Sequence, residues 1–310
     1  MFKRNAFTMI ELIFVIVIMG IIGKFGVEFL AQAYQSFIFS KVNHTLQSTS
    51  GISLELIAAK LQNRIKDSVI ARVGISGAAV SIESADGSST DYTVLEWIGS
   101  DYEGFRGNSS GSVPYNPNWS GIIDVNHLLS TTTNLVSPET NTTAIDNMID
   151  VLSYGNASIA NVALYFIGSN SVSTTDYGWD SVAVMTDQTK AMHPVTSTAV
   201  AIDQFLPSVG NFGGVDVYEY YQLAWTAYAI VYEAGPDNLG TLRLYWNYQP
   251  WEGETIDNAE SDAVIMENVS TFQFISIGDI LKIQVCTKST IITGDNDGDG
   301  YSLCKEKTVL

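Results

Sequence analysis

Asp295, Asp297 and Asp299 alternate with Asn296 and Gly298; Gly300 and Tyr301 follow at once, and Glu306 stands five positions later. Alternate carboxylates ahead of a glycine let a tight turn aim several oxygens at one point. That is the donor set a hard cation needs, and Ca²⁺ takes six to eight oxygens at about 2.3–2.6 Å. The spacing fits the calcium-loop pattern, with Tyr301 supplying its carbonyl and Glu306 closing the set. The same residues also form ordinary solvated turns. Without a cation, however, four acids inside twelve positions repel one another. The flanks are not those of a helix pair, so the expectation is a Ca²⁺ loop carried on another scaffold.

The second chemically informative residue is Glu11. It lies in an apolar stretch in which no charged residue follows until Lys24. A carboxylate within hydrocarbon costs on the order of 2.5–3.5 kcal/mol on insertion scales, so such a residue implies a function.

Around it, Lys3-Arg4 precede Ala6-Phe7-Thr8-Met9-Ile10-Glu11-Leu12. This stretch resembles the leader and N-terminal helix of the type IV pilin and pseudopilin family, in which a small residue precedes Phe-Thr-Leu-Ile-Glu-Leu. The resemblance covers about 35 residues at the N-terminal end of the chain. It implies a leader of residues 1–6, cleaved after Ala6 by a prepilin peptidase. It also implies N-methylation of Phe7 and pairing of Glu11 with the Phe7 amine of a neighbouring subunit. Opposite charges that meet in hydrocarbon remove a penalty neither loses alone. The implied partners are other pilin or pseudopilin subunits. The implied location is the inner membrane as a single-pass protein, then a periplasmic or extracellular filament.

Residues 7–30 are long enough to cross a bilayer, which takes about 20 mainly apolar residues. Glu11, Lys24 and Glu28 make the span marginal, with Lys24 placed to snorkel at the far interface. The alternative is a secreted calcium-binding protein with no filament role. Its conventional signal peptide would be cut after Ala31-Gln32-Ala33, but Lys24 and Glu28 between the apolar core and that site argue against it.

Cys286 and Cys304 are the two cysteines. In an exported chain an even count points to a disulfide, and a C-terminal disulfide loop is a recurring feature of the resembled family. Zinc is not expected, because none of the three histidines lies near the pair.

The elements that position these groups follow from periodicity. Apolar residues recur at spacings of three and four through Val42, Leu46, Leu56, Ile57, Leu61, Ile65 and Val69. This predicts one long helix, hydrophobic over 7–40 and amphipathic over 41–72, with Gly51 inside it. Residues 73–310 read as a β-rich globular domain ending in the disulfide and calcium loop of 286–306. Strands are expected at 78–82, 92–98, 161–167, 181–185, 215–233, 242–248, 264–275 and 280–285, with a helical pattern at 144–152 and a long loop over 101–121. The fold class is α+β, a long helix packed on an antiparallel sheet. A net charge of −18 over 310 residues excludes an electrostatic nucleic-acid binder. No catalytic constellation is expected: Gly107-Asn108-Ser109-Ser110-Gly111 has the spelling of a nucleophile elbow without its strand-to-helix context. His44, His127 and His193 are too scattered for a metal site. Trp119, Trp179 and Trp251 are read as packing residues.

Overall fold

The computed structural model describes residues 8–85, 92–107, 114–169, 171, 173–198, 200–235, 239–289 and 301–310. It has an α+β architecture built on one helix, α1 (Met9–Gln62), that runs unbroken through Gly51. The helix ends ten residues short of the expected Arg72. Asn63 caps it, and the β-branched pair Val69-Ile70 leads into strand β1 (Ile70–Arg72). Arg64 fixes the stop by donating to the Leu61 carbonyl at 2.8 Å and to the Asp279 carbonyl at 2.9 Å.

Beyond α1 come β2 (Val80–Ser81), β3 (Val94–Gly99), α2 (Tyr102–Arg106), β4 (Leu135–Val136), α3 (Thr142–Leu152) and β5 (Ala163–Phe166). These are followed by β6 (Met192–Thr196), β7 (Gln204–Pro207), β8 (Tyr221–Ala224), β9 (Thr226–Ala234) and β10 (Gly240–Trp246). The chain then forms β11 (Ser261–Ile277), β12 (Ile280–Lys288) and β13 (Ser302–Val309). Two antiparallel sheets result, one ordered β13-β12-β11-β10-β9-β3-β1-β2 and the other β4-β7-β6-β5-β8.

The large sheet is covered on both sides at its centre. One face carries Leu95, Trp97, Tyr228, Ile230, Leu242 and Phe274, against which α1 lays Leu54, Ile57, Ala58 and Leu61. The other face carries Val94, Ile98, Ala227, Ala229 and Val231, packed under Tyr177, Trp179, Tyr248 and Trp251. Because both faces are buried, β9 reads as a continuous apolar run rather than an alternation. At the sheet's margin β13 alternates exposed and half-buried positions, as a strand covered on one face does.

Several expectations are corrected. The aromatic segment 215–233 is two strands in different sheets, β8 and β9, with Trp225 between them. Residues 181–185 form no strand, because Asp180 and Ser181 take left-handed backbone conformations (φ 63° and 60°) that break extended pairing. Within 101–121, Asp101 caps the short helix α2 by accepting from the Gly104 N–H. Strand β13 occupies residues that the calcium pattern had claimed up to Glu306. Trp119, Trp179 and Trp251 are buried packing residues, as expected.

Candidate functional site

Thr8 and Glu11 form a capping box at the start of α1. The Thr8 hydroxyl accepts from the Glu11 N–H at 3.4 Å, and Glu11 Oε2 accepts from the Thr8 N–H at 3.1 Å and its hydroxyl at 2.9 Å. Each side chain thus satisfies a donor that the first helical turn leaves without a partner. From Met9 through Phe37 every position of the helix is exposed, large apolar residues included. Lys24 and Glu28 form an i,i+4 pair at 3.9 Å. The helix is long and apolar enough to cross a membrane. Ala6 and Phe7, the expected processing site, lie outside the described residues.

The other end of the chain is seated on the same helix. Cys286 and Cys304 stand directly opposite each other on β12 and β13 and form the disulfide. A closed loop of this size contributes about 3 kcal/mol in the chain-entropy account. Where β13 begins, Tyr301 places its ring edge-on to Phe39 at 5.2 Å and donates its hydroxyl to Asn43 at 3.3 Å. Further along, Lys305 Nζ donates to the Gln47 carbonyl at 2.6 Å, and Lys307 Nζ reaches Glu55 at 2.7 Å.

Phe39, Asn43, Gln47, Gly51 and Glu55 are spaced by four, so they form one stripe down the helix facing β13. Gly51 belongs to the stripe because Lys305 Nζ lies 3.0 Å from where a Cβ would sit. This stripe escaped the periodicity reading because it is mostly polar; the signal was the i,i+4 row itself.

The expected metal ligands are divided by this arrangement. Asp295, Asp297 and Asp299 lie outside the described residues. The Tyr301 carbonyl accepts from the Ser289 N–H at 2.8 Å, which closes the base of the hairpin. Glu306 is part of β13, opposite Gln284, and pairs with Lys282 Nζ at 2.7 Å. Strand β13 runs extended from Ser302 past Glu306 at about 3.3 Å per residue, so the segment is not the continuous turn the full pattern requires. Among the described residues no cluster of three or more metal-ligating side chains is present.

A buried charged network also escaped sequence reading. Glu96, on β3, is 1% exposed and accepts from Arg72 Nε at 2.7 Å and from the Tyr248 hydroxyl at 3.3 Å. Burial pushes its carboxyl up to about 7, against the pull of Arg72. Burial also raises Asp101, to about 6, and lowers His193, to about 4. The available sign was Glu96 sitting inside a strand that is otherwise apolar.

No family model, curated protein or solved structure matches this chain.

Proposed function

We propose that this chain is a pilin-like subunit, of the minor pilin or minor pseudopilin kind, that is held in the inner membrane by α1 and assembled into a filament. The observation that carries the reading is Glu11, one carboxylate near the start of a long, exposed, apolar helix and directly after the Ala6-Phe7 motif. The capping box adds support, because it sets Glu11 in the first turn of α1. A body with two sheets and the added helix α3 is bulky for a main shaft, which favours a minor subunit.

The test is the mature N-terminus, read by mass spectrometry of protein recovered from membranes. A chain that begins at Phe7, carrying one methyl group, is the expected result. A chain that begins at Tyr34 would replace the proposal with a secreted protein released by a conventional signal peptide.

Calcium is proposed as a structural ligand of the loop that holds Asp295, Asp297 and Asp299. Glu306, held by Lys282, is not needed in that set. The Cys286–Cys304 crosslink brings the loop's two ends together, which lowers the ordering entropy that ion binding must overcome. Ligand in hundredfold excess over its dissociation constant stabilises by about 2.7 kcal/mol. Chelator should therefore lower the melting temperature, and Asp297→Ala should abolish that difference. Identical melting with and without chelator in the unmutated chain would leave the loop as an acidic turn.

A further inference from the structure

A cleft of about 470 Å³ opens between the turn before β2 and the segments around Asp180 and Ile256. That volume lies in the range of small-ligand sites. Its floor is Arg72, which is 5% exposed. Nε of Arg72 serves Glu96, and Nη1 serves the Gly77 carbonyl at 2.7 Å and Asp180 Oδ1 at 2.5 Å. Nη2 donates to no residue among those described, so this guanidinium, which lines the cleft, keeps one pair of N–H donors without a partner among them.

Asp180 is held firmly beside it. Its Oδ1 also accepts from the Ala79 N–H at 2.9 Å, while Oδ2 has no hydrogen bond among the described residues. Asp180 and Ser181 occupy consecutive left-handed conformations, which cost roughly 1–3 kcal/mol each for residues other than glycine and persist where the surroundings enforce them. The strained turn sets a fixed carboxylate oxygen next to a fixed guanidinium.

A donor and an acceptor side by side match a hydroxyl, which both gives and takes a hydrogen bond. Charge decides against an anion. Among the described residues Arg72 is the one cation that lines the cleft, whereas Asp180 and Asp257 are both carboxylates and Glu96 is a third, shared acid. Ser76, Ser181 and Thr255 add hydroxyls around the rim, and Ile75 and Ile256 give apolar surface for C–H groups. We propose that this cleft binds a neutral saccharide, one hydroxyl of which bridges Arg72 Nη2 and Asp180 Oδ2. The site is independent of the filament reading.

The test uses the full chain in an amine-oxide detergent, which has no sugar head group to compete. Methyl α-mannoside, methyl β-galactoside and N-acetylglucosamine are each examined by saturation-transfer NMR and titrated. Binding of at least one is expected. Two variants should weaken it at least about tenfold, the loss of one hydrogen bond to a charged group. Asp180→Asn removes the acceptor and keeps a residue that tolerates left-handed backbone. Ser76→Trp fills the cleft from an exposed position, where folding is insensitive to the change, and circular dichroism checks that both variants fold. Absence of binding by all three saccharides, undiminished binding in either folded variant, or displacement of the sugar by inorganic phosphate would overturn the proposal.

Discussion

Arg72→Met is expected to destabilise the protein by about 3–5 kcal/mol, the usual cost of leaving one member of a buried ion pair without its partner. Glu96 is enclosed by the large sheet and the layer above it, and Arg72 supplies its counter-charge. For a chain of this size the change corresponds to a fall in melting temperature of roughly 5–8 °C. The loss should depend on pH, and the sign follows from the direction of the shift. Burial raises the Glu96 carboxyl from 4.5 to about 7 in the folded protein. The folded state therefore holds this proton more tightly than the unfolded chain, and the group's contribution falls as pH rises from about 4.5 through 7. Without Arg72 the penalty attaches to the ionised form alone, so the deficit should be larger at pH 8 than at pH 5. Thermal melts of both proteins at the two pH values measure it, and equal deficits would rule out an uncompensated charge as the cause. Glu96→Gln in the Arg72→Met background should recover part of the loss.

The second large effect is expected at Glu11, and it rests on the filament proposal. Glu11→Ala should leave membrane insertion intact and reduce incorporation into sheared filaments roughly a hundredfold, the equivalent of about 3 kcal/mol for a broken pair in a low-dielectric setting. Because Glu11 also caps its own helix, the alanine variant alone confounds two roles. Glu11→Gln separates them. Glutamine completes a capping box as glutamate does, but it brings no charge to a neighbour's amine. Assembly should fail with glutamine as well. If Glu11→Gln filaments form normally, the carboxylate serves the cap and not the contact between subunits.

What the sequence disclosed and what it concealed divide along physical lines. The long helix was legible because apolar spacing and an absence of breakers persist over dozens of residues. Its end was not, because Ile65 and Val69 continue the apolar rhythm after the backbone has left the helix; the structure stops it through Arg64 and a carbonyl more than two hundred positions away. The hairpin of β9 and β10 announced itself through its turn. The split between β8 and β9 did not, since a strand buried on both faces shows no alternation to betray where one sheet gives way to another. β13 was missed for a different reason: Glu306 suits a calcium loop by spacing, yet Lys282 and Gln284 claim its place in a ladder. Among the candidate site residues, the cysteine pairing followed from an even count in a chain read as exported. Arg72, Asp180 and Tyr248 lie far apart in sequence, and no local pattern joins them.

The seating of α1 on β13 has a mechanical consequence. The helix touches the last strand of the chain more extensively than any other strand, through the Phe39 to Glu55 stripe. A pull applied along the helix axis would therefore enter the body at its C-terminal edge and shear β13 against β12, instead of passing through the strands in chain order. Hydrogen bonds loaded in shear must give way together, and the Cys286–Cys304 crosslink sits in the ladder between those two strands. The place where traction arrives is also the place where the sheet is covalently riveted.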